Sequence, residues 1–93
     1  MDENLRDVVE KVAAALRQAG AKEVYLFGSA ATGKLREGSD LDFAVSGLPP
    51  AEFFRAMGVA WGAANQELDL VDLDQDTPFT RYLKEEGELV RVG

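Results

Sequence analysis

LFGSAATGKLREGSDLDF, residues 26–43, is the stretch on which the fold turns. An apolar run ends abruptly at Gly28-Ser29. Ten residues separate Ser29 from Asp40, and Asp40 and Asp42 then flank Leu41 at the start of a second apolar run. Side chains alternate along a strand, so Asp40 and Asp42 share one face, with Cα atoms roughly 6.5–7 Å apart. Leu41, Phe43 and Val45 take the opposite face, toward a core. Two unpaired carboxylates at that spacing repel, and burying either alone costs several kcal/mol or raises its pKa. A divalent cation between them removes the conflict. Hard cations such as Mg2+ take oxygen ligands and keep waters that phosphates can replace. The alternative reading of the pair is a solvated strand face.

Outward from this stretch the pattern is regular. Leu5, Val8, Val9, Val12 and Leu16 recur at helical spacing, which predicts a helix over residues 3–19, capped by Asp2 and stopped by Gly20. EVYLF, residues 23–27, reads as a strand buried on both faces. LDFAV, residues 41–45, is the next strand. SGLPP is a turn, and Pro50 suits the first position of a helix. Phe53, Met57, Trp61 and Ala64 form the apolar stripe of that helix. ELDLVDL, residues 67–73, is a third strand. Thr77-Pro78 opens a short helix carrying Phe79, Tyr82 and Leu83, Gly87 ends it, and ELVRV is an edge strand. No repeat, low-complexity segment or linker is present. Residues 1–93 therefore read as one domain of α/β (α+β) class, a sheet with helices packed on it.

Composition narrows the chemistry. Hydrophobic residues make up 46% of the chain, enough for one small core. There is no Cys, hence no disulfide and no thiolate metal site. There is no His, so the usual general base is missing. Catalysis would rest on carboxylates, hydroxyls, Lys or Arg, and a metal. The net charge of −7 argues against direct nucleic-acid binding and suits divalent cations or a basic protein partner. The apolar stretches are too short to span a bilayer. MDENLRDVVEK is charged and helical rather than a secretion signal, so a cytoplasmic location is expected.

Asp69 is a third charge among apolar neighbours, Leu68, Leu70 and Val71. If its strand lies beside residues 41–45, three carboxylates can meet; otherwise Asp69 is a solvated strand residue. Asp72, Asp74 and Asp76 hint at a calcium loop, but no Gly follows for its sharp turn and Leu83 falls where a Glu is needed. They read as a solvated turn leading into a helix cap. Gly28 permits a tight turn and close approach to a ligand. Ser29 adds a hydroxyl at a helical start, whose N–H groups suit phosphate oxygens. Alone, Gly-Ser is equally an ordinary strand-ending turn.

The combination of strand, Gly28-Ser29, Asp40-x-Asp42 on a second strand, a helix, and Asp69 on a third resembles the DNA polymerase β-like nucleotidyltransferase superfamily. Within it, the chain looks like the minimal nucleotidyltransferases (MNT) of bacteria and archaea. The resemblance runs over nearly the whole chain and is most specific in LFGSAATGKLREGSDLDFAV followed by LDLVDL. It implies a mixed, mostly antiparallel sheet of about four strands with helices packed on it. It implies transfer of a nucleoside monophosphate, AMP from ATP, to a hydroxyl. Gly28 and Ser29 would hold the triphosphate. Asp40, Asp42 and Asp69 would hold two Mg2+ ions, with Asp69 alternatively accepting the hydroxyl proton. Such transfer needs positioning and charge compensation more than a strong base, so a chain without His can perform it.

One departure is clear. Many minimal members carry Arg-Ala-Arg after Gly-Ser, where this chain has Ala30, Ala31 and Thr32. Lys34 and Arg36 are the loop's basic residues, either triphosphate contacts or solvated charges. The resemblance also implies a partner, a helical HEPN protein that can be an RNase toxin, AMP-modified on a tyrosine by its antitoxin. The acceptor would then lie on that partner or across an oligomer interface, since 93 residues leave no room for an acceptor domain. A non-catalytic antitoxin of the same fold, and an enzyme that adenylylates a small molecule, are the rival expectations.

Overall fold

A computed structural model describes residues 3–28, 41–64, 66, 68–87 and 89–93. The first helix, α1, spans Glu3–Gln18 and buries Leu5, Val9, Val12, Ala13 and Leu16 along one stripe. Its end is fixed by backbone geometry. Gly20 takes φ +121°, its N–H donates to the Arg17 carbonyl, and the Ala21 N–H donates to Leu16 O, each at 3.0 Å. These two bonds satisfy carbonyls that the last turn would leave orphaned. The expected cap, Asp2, lies outside the described residues.

Strand β1 (Glu23–Leu26) pairs antiparallel with β2 (Leu41–Ser46), Leu26 opposite Phe43. A 3-10 turn at Pro50–Glu52 leads into α2 (Phe53–Ala64). That helix is the crossover a parallel strand needs, and β3 (Leu68–Asp72) returns parallel to β2. Helix α3 (Pro78–Glu85) follows, and β4 (Val90–Arg91) closes the far edge against β1. The sheet order is β3-β2-β1-β4. It is the expected mixed, mostly antiparallel four-stranded sheet with helices packed on it.

Strand alternation divides the interior in two. Val24, Leu26, Leu41, Phe43, Val45, Leu68 and Leu70 pack with α1 and α2 into the main core. The intervening residues point to the other face, where Phe27, Ala44, Leu73 and Leu83 form a smaller cluster flanked by Tyr25 and Val71. The expectation that residues 23–27 are buried on both faces holds fully for one face and, on the other, only at Phe27. Val24 and Leu26 are buried, but Glu23 and Tyr25 are half-buried, because the only helix on their side among the described residues is the eight-residue α3.

The stripe expected on α2 is rotated. Ala56, Ala60 and Ala64 are the buried positions, while Phe53 and Met57 flank them and Trp61 stays 43% exposed. Small side chains at the contact let α2 lie close to α1 and the sheet, since interhelical distance follows side-chain size. Large residues are displaced to the rim. Helix α3 begins as its sequence suggests. The Thr77 hydroxyl accepts the Thr80 N–H at 3.1 Å, Thr80 Oγ1 accepts the Thr77 N–H at 3.0 Å, and Pro78 occupies the first turn.

Candidate functional site

Asp42 and Asp69 are direct neighbours across the parallel β2–β3 ladder. Adjacent strands lie about 4.8 Å apart, so two carboxylates leave the same face at that backbone spacing. The face is the one with the smaller apolar cluster, shared with Ala44 and Val71. Asp42 is half-buried and Asp69 exposed.

The end of β1 meets the same point. The Phe27 N–H donates to the Asp42 carbonyl at 3.1 Å. Gly28 then turns with φ +66°, in the left-handed region that side-chain-bearing residues disfavour. A Cβ at Gly28 would stand 2.6 Å from Asp42 Oδ2. Glycine is therefore required twice at this position, for its backbone angle and for the carboxylate beside it. These groups border a cleft of about 470 Å3 whose walls include Asp42, Asp69, Phe27, Val71, Phe79, Met57 and Trp61.

The donor set fits a hard divalent cation. Both acidic side chains in the cleft are oxygen ligands, paired in register on rigid strands, and like charges so placed favour a counter-ion. Among the described residues no group of three acids gathers, and Asp42 and Asp69 are the pair that meets. Of the residues singled out from sequence, the structure brings together Gly28, Asp42 and Asp69. Ser29, Lys34, Arg36 and Asp40 lie outside the described residues.

Of the other aspartates, Asp74 and Asp76 lie exposed on a turn that leads into the Thr77 cap, as expected, and Asp72 alone departs from the solvated reading. Asp72 is buried, and its Oδ1 accepts the Asp74 N–H at 2.9 Å. Asp74 accepts the Gly47 N–H at 2.7 Å and the Ser46 hydroxyl at 3.1 Å, tying the end of β2 to the end of β3. Asp74 is nonetheless exposed, and so is Asp76, which pairs with Arg81, whose hydrogen bonds hold its carboxyl below the usual range. Asp72 and Asp74 brace the ends of the two strands that carry the site.

Sequence reasoning missed the aromatic wall. Phe79 and Trp61 stand at helical spacing and read as core, yet both border the cleft and remain partly exposed. The available signal was position: Phe27 immediately precedes Gly28, and Phe79 follows the Thr77-Pro78 helix start.

The family model described as "Polymerase beta, Nucleotidyltransferase" matches residues 10–91. Among solved structures, a chain described as a minimal nucleotidyltransferase is 32% identical with TM-score 0.71, over 94% of each chain. A toxin-antitoxin complex with AMP-PNP matches at 26% identity and TM-score 0.67, over 87% of this chain and 70% of that one. A tri-AMPylated Shewanella oneidensis HEPN toxin in complex with MNT antitoxin matches at 25% identity and TM-score 0.55, over 75% of this chain and 56% of that one. No match was found among curated proteins.

Proposed function

The chain belongs to the polymerase beta nucleotidyltransferase family, and from this premise we propose that it transfers AMP from ATP to a hydroxyl on a HEPN-type partner and so acts as an antitoxin. The observation that carries the reading is the Asp42–Asp69 pair, in register and closed from behind by a glycine whose Cβ would strike Asp42. The solved toxin-antitoxin complexes of this fold, one with AMP-PNP and one with an AMPylated toxin, support the nucleotide and the partner class.

In this reading Asp40, Asp42 and Asp69 hold Mg2+. When bound, the metal supplies charge compensation for the departing pyrophosphate and acidifies the attacking hydroxyl. The chain's own residues orient and accept. Gly28 and Ser29 present backbone N–H groups to the triphosphate, with Lys34 and Arg36 as the loop cations nearest in sequence. A bond forms between the partner's hydroxyl oxygen and the α-phosphorus, and the bond from that phosphorus to the bridging oxygen of pyrophosphate breaks. Asp69, the more exposed of the pair, is alternatively the acceptor of the hydroxyl proton. No histidine is needed, because positioning and electrostatics supply most of the rate in such transfers.

The test is AMP transfer from labelled ATP to a co-expressed HEPN partner, followed by intact-mass measurement of both chains. Transfer by the wild type and its loss in Asp69→Asn are expected. One feature favours a second reading, a non-catalytic antitoxin: Ala30, Ala31 and Thr32 stand where basic residues would meet a triphosphate. Toxin neutralised with no added mass, equally by wild type and Asp69→Asn, would establish that alternative.

A further inference from the structure

The cleft has a chemical asymmetry that the carboxylates do not explain. Phosphates and metal need only its acidic end, yet an aromatic side chain stands on the same side of the sheet. Phe79, in the first turn of α3, is 48% exposed and borders the cleft with Asp42 and Asp69. Its ring is not loose on the surface. It stands edge-on to Phe27, with centroids 5.9 Å apart and planes at 68°. Phe27 is itself buried and donates its backbone N–H to the Asp42 carbonyl. A direct chain of contacts therefore runs from the carboxylate strand through Phe27 to Phe79. The capping interactions of Thr77 and Thr80 fix the helix turn from which Phe79 projects.

We propose that the exposed face of Phe79 is the stacking platform for the base of the bound nucleotide. The inference rests on the nucleotidyltransferase reading and extends it to a base site. An anchored, flat, half-exposed ring beside a phosphate-binding end is what a nucleoside requires, since base stacking needs a π-face and no particular edge pattern. Trp61 is the weaker candidate. It projects from α2, on the opposite side of the sheet, and its indole N–H is committed to the Leu68 carbonyl at 3.0 Å.

Binding of ATP and of inorganic tripolyphosphate, each with Mg2+, is to be compared by calorimetry in wild type, Phe79→Leu and Phe79→Trp. Leucine keeps apolar bulk and removes the flat face; tryptophan restores it. Phe79→Leu should weaken ATP roughly tenfold or more, leave tripolyphosphate within about twofold, and be rescued by Phe79→Trp. Wild-type affinity for ATP in Phe79→Leu overturns the platform and leaves the ring to another role, such as partner docking. A parallel loss of ATP and tripolyphosphate also overturns it, because the substitution would then have disturbed the phosphate end. Wild type that binds neither ligand defeats the nucleotidyltransferase reading itself, and the platform falls with it.

Discussion

The two faces of the sheet are built from the same strands but carry different side chains. Toward α1 and α2 the strand positions are apolar except Asp72 at the end of β3, and the largest side chains, Phe43, Leu16 and Leu41, are fully buried. Toward α3 the same strands present Asp42, Ala44, Asp69 and Val71, and the apolar cluster shrinks to a few residues beside a cleft. The division of labour follows from charge. A carboxylate pair cannot be enclosed without a cation, so the face that holds it stays open and the other face carries the stability.

The largest effect that would break this comparison lies on the closed face. Phe43→Ala should cost about 3–5 kcal/mol, a large part of the 5–15 kcal/mol that holds a domain folded. Urea unfolding followed by circular dichroism checks it, and a loss under about 1 kcal/mol would mean the core is not where the faces divide it.

The open face should answer in the opposite sense. Without metal, Asp69→Asn removes one of two facing like charges and should leave the protein as stable as wild type or slightly more so. With Mg2+ at a hundredfold excess over its Kd, wild type should gain about 2.7 kcal/mol, most of which the variant loses. Thermal melts with and without Mg2+ decide this. Equal metal stabilisation in both proteins would remove Asp69 from the site.

Gly28→Ala tests the joint between the faces. The left-handed φ alone costs about 1–2 kcal/mol for a residue with a Cβ, and the new methyl would displace the Asp42 carboxylate. Lower stability together with weaker Mg2+ binding is expected, whereas a fall in stability with unchanged metal affinity would separate the turn from the site.

The smallest effect sits at the rim, in the exposed Asp76–Arg81 pair. Arg81 lowers the Asp76 pKa in the folded state. The resulting stabilisation is present above the unfolded-state value, about 4 for an aspartate, and is lost as pH falls through the lower folded value. Arg81→Ala should therefore flatten only the acid limb of the stability–pH curve. A change near neutral pH would point to a role beyond this pair.

Local periodicity was enough to read the order of helices and strands, the alternation that turns Leu41, Phe43 and Val45 away from Asp42, and the break at Gly28. Each depends on a few consecutive residues and on backbone geometry that repeats every two or every 3.6 residues. It also carried the family, because strand, Gly-Ser turn and spaced aspartates are a linear pattern. What lay beyond it is non-local. The pairing of Asp42 with Asp69 joins positions separated by the whole of α2 and exists only because β3 docks parallel to β2. The choice of Ala56 and Ala60 over Trp61 for burial depends on how closely α1 and α2 approach. Asp72 and Asp74 became structural only when two strand ends came within hydrogen-bonding reach. Phe79 belongs with these: helical spacing marks it as apolar, but only the packing of α3 over Phe27 puts its ring at the cleft.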